Sequence, residues 1–123
     1  MRILILDFND DFFPIYTRKL EQIDSIEILF AKDINAALSF LKEDPDCILL
    51  NHLFFKKFDY YNQLREAGFQ GDIIITTPGK TNIIKRSQYN GISGIIDKSL
   101  NGEDFRKSFY KILKHKYIEE KAA

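Results

Sequence analysis

The stretch Pro45-Asp46-Cys47-Ile48-Leu49-Leu50-Asn51 carries the reading of the fold. Cys47 to Leu50 are apolar without a break, and the run stops on the carboxamide of Asn51. A strand with one wet face alternates apolar and polar residues, whereas a strand covered on both faces does not. The stretch is therefore a strand in the middle of a sheet that has a layer on either side. Ile3–Leu6, Ile73–Ile75 and Ile92–Ile96 are runs of the same kind, the last interrupted by Ser93-Gly94. The run at Ile26–Ala31 is broken by Glu27 and reads as an edge strand.

Helical spacing fills the intervals. Ile34, Ala37, Leu38 and Leu41 follow i, i+3, i+4, i+7, with Asp33 placed to cap them. Phe105, Phe109, Ile112 and Leu113 follow i, i+4, i+7, i+8, with Asn101 or Ser99 as cap. The segment Asp11–Gln22 starts on an aspartate cap and holds Pro14 in its first turn, where proline is tolerated. Tyr61 with Leu64, and Ile83 with Ile84 and Ser87, mark two weaker helices, with Gly68 and Asn90-Gly91 as stops. Strands alternating with helices predict an α/β fold: a doubly wound, five-stranded parallel sheet with right-handed crossovers.

Composition agrees with one globular domain. The chain has 123 residues, 45% hydrophobic and 29% charged. We expect that domain over 1–118 and a frayed tail at 119–123. Lys+Arg and Asp+Glu both number 18, which speaks against a strongly basic nucleic-acid binder. The zero conceals an asymmetry: residues 1–61 sum to −4 and residues 62–123 to +4. A single cysteine, Cys47, excludes an internal disulfide and a cysteine-based zinc site. The leading apolar run is too short for a signal peptide or membrane span, so a cytoplasmic setting is expected.

In an open parallel sheet, ligands meet the carboxyl ends of the strands. Those ends carry Asp7, Asn51, Thr76 and Asp97-Lys98. In this order and spacing they resemble the CheY-like receiver domains of two-component response regulators, over about residues 2 to 117. Arg2-Ile3-Leu4-Ile5-Leu6-Asp7 is similar to that family's first strand with its acidic end. The stretch ending at Asn51 is similar to the third strand, Ile73–Thr77 to the fourth, and Gly91–Lys98 to the fifth. The resemblance implies a flavodoxin-like (βα)5 sheet of strand order 2-1-3-4-5. It also implies a phosphoacceptor aspartate at position 51, metal-binding acids at 7 and 8, a Thr and a Lys against the phosphoryl group, and a switch aromatic at 95.

Here the chain departs from the pattern. Position 51 is Asn, position 8 is Phe and position 95 is Ile. A carboxamide cannot form an acyl phosphate, and Asp7 alone makes at most a weak Mg²⁺ site. The expectation is a degenerate receiver, or pseudo-receiver: not an enzyme, without a cofactor or metal, acting through protein–protein contact. Asp7 is expected to pair with Lys98, and Asn51 to bond Lys98 or Thr76. The alternative is a functional receiver that senses phosphate or another anion, non-covalently, beside Thr76 and Lys98.

The last helix is basic, and the resemblance implies contact through helix 4, strand 5 and helix 5. Its candidate residues are Lys85, Arg86, Arg106, Lys107, Tyr110, Lys111 and Lys114. They would meet a protein partner, an output domain or a second copy in a homodimer, with no membrane and no direct nucleic-acid contact. Phe54, Phe55 and Phe58, in what reads as a loop, form a second candidate surface.

Overall fold

The computed structural model describes residues 1–23, 25–56, 58–78 and 91–113. Its strands are β1 (Arg2–Leu6), β2 (Glu27–Ala31), β3 (Cys47–Asn51), β4 (Asp72–Thr77) and β5 (Gly94–Asp97). Its helices are α1 (Phe13–Leu20), α2 (Ile34–Phe40), α3 (His52–Lys56), α4 (Tyr60–Glu66) and α5 (Gly102–Leu113). All strand pairs are parallel, in the order β2-β1-β3-β4-β5. The chain thus has the expected α/β architecture, with β2 at one edge.

The unbroken apolar runs have the expected cause. Ile3, Ile5, Cys47, Leu49, Ile74 and Ile96 pack on one face with Tyr16 and Leu20 of α1 and Phe105, Phe109 and Leu113 of α5. Leu4, Leu6, Ile48, Leu50, Ile73 and Ile75 pack on the other with Ala37, Phe54, Leu64 and Phe69. Cys47 is fully buried, a small core hydrophobe whose thiol pKa is pushed up by that burial.

Local chemistry sets most of the element ends. Asp33 Oδ1 accepts from the Ala36 amide at 2.8 Å, and Asn101 Oδ1 from the Asp104 amide at 2.8 Å, so both expected caps form. Gly68, at φ +103°, supplies the left-handed residue that ends α4. Three expectations are corrected. Asp11 does not cap α1. Asn9 does the capping one turn earlier, accepting from the Asp11 amide at 2.9 Å and opening a 3-10 turn over Asp10–Phe12. The stretch after β3 is helical rather than a loop, because Asn51 Oδ1 accepts from the Leu53 amide at 2.9 Å. The fifth strand starts at Gly94, not Ile92. At Gly94 a Cβ would lie 2.5 Å from Ile112 Cδ1, so the missing side chain lets α5 lie close on the sheet. The helix expected around Ile83, Ile84 and Ser87 lies outside the described residues.

Arg65 ties the far end of the sheet together. Its guanidinium donates to the carbonyls of Phe69 at 3.0 Å, Gly71 at 2.8 Å and Gly91 at 3.4 Å, and lies 5.2 Å from the Tyr61 ring centre. We expect Arg65→Ala to cost about 1–3 kcal/mol, since charged hydrogen bonds to three backbone carbonyls are lost. Urea unfolding at neutral pH measures it, and an unchanged midpoint would contradict this role.

Candidate functional site

Strand register carries Asp7, Asn51, Thr76 and Lys98 to one end of the sheet. Leu6 stands beside Leu50, Asn51 beside Thr76, and Thr77 beside Asp97. Side chains alternate along a strand, so all four project to the α1/α5 face. Asp7 and Asn51 are wholly buried, Thr76 nearly so, and the Lys98 side chain is 10% exposed.

Asp7 is the hub. Its Oδ2 accepts from Lys98 Nζ at 3.2 Å and from the Tyr16 hydroxyl at 3.0 Å. Its Oδ1 accepts from Asn51 Nδ2 at 3.3 Å. An ionised carboxylate only accepts, so the single Tyr16 proton goes to Asp7. The Thr76 hydroxyl, 3.1 Å from the Tyr16 oxygen, then donates to it. Phe12 closes the outer side, its ring centre 3.9 Å from Lys98 Nζ in a cation–π contact. The result is a shut, charge-balanced cluster: one ammonium, one carboxylate and three neutral polar groups.

Burial, reinforced by the negative charge of Asp7, pushes the Tyr16 phenol well above the ordinary tyrosine range. The folded value exceeds the unfolded one, near ~10. The associated stability is therefore complete below that pH and is lost as pH rises above it. Tyr16→Phe should cost about 1–2 kcal/mol at neutral pH in urea unfolding. In the parent protein, one of the six tyrosines should stay un-ionised in an ultraviolet alkaline titration until the chain unfolds. Full titration of all six in the folded state would contradict the buried bond.

The structure brings together four of the five sequence candidates for this cluster and separates the fifth. Phe8 is 49% exposed and meets the Phe54 ring edge-on at 6.0 Å, away from Asp7. Ile95 is half-buried and packs with the core of the opposite face. Asn51 bonds neither Lys98 nor Thr76; its partners are Asp7 and the Leu53 amide, because Lys98 and Tyr16 already share the other oxygen of Asp7. The second candidate surface divides: Phe54 is buried and Phe58 is 46% exposed.

On α5, Lys107 and Lys111 are exposed, Lys107 pairing with Glu103 at 3.2 Å, and Tyr110 packs against the core. Arg106 turns towards α1 and donates to the Lys19 carbonyl at 3.0 Å. Lys85, Arg86 and Lys114 lie outside the described residues. Tyr16 and Phe12 were missed by sequence reasoning. The only signal for Tyr16 is its i, i+4 spacing with Leu20, which marks a buried helix face but not a polar task.

No family model and no curated sequence matches the chain. Solved structures do. The N-terminal domain of a response regulator/sensory box/GGDEF three-domain protein from Carboxydothermus hydrogenoformans superposes with a TM-score of 0.74 at 13% identity, over 100% of both chains. A response regulator from Thermotoga maritima gives 0.74 at 18% identity, over 92% of this chain and 97% of its own. The chemotaxis response regulator CheY4 of Vibrio cholerae gives 0.71 at 18%, over 91% and 98%. The fold is therefore that of a CheY-like receiver domain. Among the described residues, no helix is long and apolar enough to cross a membrane.

Proposed function

We propose that this chain is a receiver-like signalling module of the two-component type that is not phosphorylated at the usual position and acts by protein–protein contact. One observation carries the reading. At the end of β3, where a receiver would hold its nucleophilic carboxylate, Asn51 spends its NH₂ on Asp7 and its oxygen on the Leu53 amide. A carboxamide in that place is neutral and a poor nucleophile, and here it is bonded through both its nitrogen and its oxygen.

The donor set also does not fit a divalent cation. Mg²⁺ asks for an octahedron of oxygen ligands, several from water. Here the oxygens of Asp7 face an ammonium, a phenol and an amide NH₂, all donors. Among the described residues no group of three or more His, Cys, Asp or Glu is placed to hold a metal ion. The same commitments weigh against anion sensing, since Lys98 already has its counter-charge and Thr76 its partner.

The exposed lysines of α5 favour an acidic partner surface, whose binding should weaken with added salt. Incubation with acetyl phosphate and Mg²⁺, followed by intact-mass measurement, tests the central claim. The expected spectrum shows the unmodified mass alone. A stable phosphoryl adduct would overturn the reading.

A further inference from the structure

A hollow of about 320 Å³ opens between the residue that follows β1 and the first turn of α3, lined by Phe8, Leu53, Phe54 and Phe58. Phe54 is buried at its base, while Phe8, Leu53 and Phe58 are exposed. The rings meet edge-on, Phe8 with Phe54 at 6.0 Å and Phe54 with Phe58 at 5.9 Å. Among the described residues, the large apolar side chains left exposed are these three together with Phe13 and Ile15. Most of that exposed apolar surface is therefore gathered at one hollow, which marks a place that a ligand covers. No charged or hydrogen-bonding side chain lines the hollow among the described residues. Two of its walls are tied to the Asp7 cluster. Phe8 follows Asp7 directly, at the position where a receiver would carry its second metal acid. The Leu53 amide donates to Asn51 Oδ1 at 2.9 Å, and Asn51 Nδ2 donates to Asp7 Oδ1 at 3.3 Å.

We propose that this hollow binds a small, uncharged aromatic molecule, which serves as the input that the domain reads in place of phosphorylation. Size sets the first limit. Ligand sites span about 300–1,000 Å³, and this one lies at the small end, whereas a protein partner needs a face of about 800 Å². The walls set the second. A flat ring extends the edge-on pairing that Phe8, Phe54 and Phe58 already make, which an aliphatic molecule of the same size cannot do. Charge sets the third. An ion placed here loses its water and gains no counter-charge from these walls. The ties to Asp7 and Asn51 give binding a consequence: a ligand that holds Phe8 and Leu53 in one arrangement favours the cluster geometry that goes with it. The input role rests on the reading of the chain as a receiver that is not phosphorylated. The ligand titration and the acetyl phosphate experiment read different events, so either can fail without the other.

The test is an NMR titration of the full chain with 2-naphthol as the probe at neutral pH. Cyclohexanol, tetramethylammonium and naphthalene-2-sulfonate are the controls for planarity, positive charge and negative charge. We expect saturable shifts at the amides of Phe8, Leu53, Phe54 and Phe58, and at the side-chain NH₂ of Asn51, with 2-naphthol and with none of the controls. Phe8→Ser and Leu53→Ser should each weaken binding about tenfold, the loss of one apolar wall. Both side chains are exposed, and Ile15→Ser, exposed but outside the hollow, should leave binding unchanged. The controls test ligand class on the unsubstituted chain, so the proposal does not hang on the variants folding. No shifts at millimolar 2-naphthol, insensitivity to both wall substitutions, or equal binding of any control would overturn the site. Self-association of the chain through Phe8 and Phe58 without affinity for 2-naphthol would overturn it as well. Shifts confined to the four wall residues, with the Asn51 NH₂ unmoved, would overturn the input role.

Discussion

Asp7→Asn should destabilise the protein by about 3–5 kcal/mol, the cost of leaving a buried charge without its partner. The substitution keeps the size of the side chain, so it leaves no cavity. What it removes is the negative charge 3.2 Å from Lys98 Nζ, where the lysine side chain is only 10% exposed. The ammonium keeps its contact with the Phe12 ring, but a cation–π contact of about 1–2 kcal/mol does not replace a counter-ion. The companion variant Lys98→Met removes the stranded charge. The double variant should therefore recover much of the loss, with a coupling energy of about 2 kcal/mol or more in a double-mutant cycle measured by urea unfolding at neutral pH. Additive single effects would show that the pair is not the organising contact of the cluster.

Asn51→Asp, which restores the residue a phosphorylated receiver carries, should be harmful here: about 2–4 kcal/mol less stable near pH 8. Asn51 Nδ2 sits 3.3 Å from Asp7 Oδ1 with both residues wholly buried. An aspartate replaces that donor with a second carboxylate. At this separation and an effective dielectric of about 20, two unit charges repel by about 5 kcal/mol. Lys98, Tyr16 and uptake of a proton by the pair offset part of it. The acceptor for the Leu53 amide is retained, so α3 keeps its first turn.

The proton uptake fixes the direction of the pH dependence. In this variant one carboxyl of the pair holds its proton in the folded state at a pH where the unfolded chain has released it. The folded state then binds more protons, and stability falls as pH rises through that window. The deficit relative to the parent should be larger at pH 8 than at pH 5. Unfolding curves at both values measure it. Equal stability at pH 8 would mean that the Asn51 amide does not face Asp7 in solution.

Much of this arrangement could be read before any coordinates. The unbroken run at Cys47–Leu50 required cover on two faces, and the sheet has it. The polar residues closing the strands had to share one end of a parallel sheet, and Asp7, Asn51, Thr76 and Lys98 do. The caps at Asp33 and Asn101 follow from side-chain geometry within one turn. Each of these inferences depends on periodicity or on neighbours a few residues away.

Less legible was what depends on how separate elements pack. Phe8 lies next to Asp7 in the chain, yet alternation along the backbone sends it away from the cluster to meet Phe54. The partner of Asn51 was expected to be Lys98 or Thr76. It is Asp7, because the ammonium and the phenol together occupy the carboxylate oxygen on the other side. α3 was read as a loop because its first turn depends on the Asn51 side chain, which propensity alone does not weigh.

The sequence by itself determined the order of elements, the two-faced core and the end of the sheet at which polar groups gather, because strand and helix periodicities are local. Only the tertiary structure decided that the gathering is closed. Tyr16 reaches it from α1 and Phe12 from the 3-10 turn just before it, and the rotation of that helix on the sheet depends on packing against α5 and β1 rather than on any spacing within the helix. That rotation makes Asp7 the centre of a neutral, fully bonded cluster.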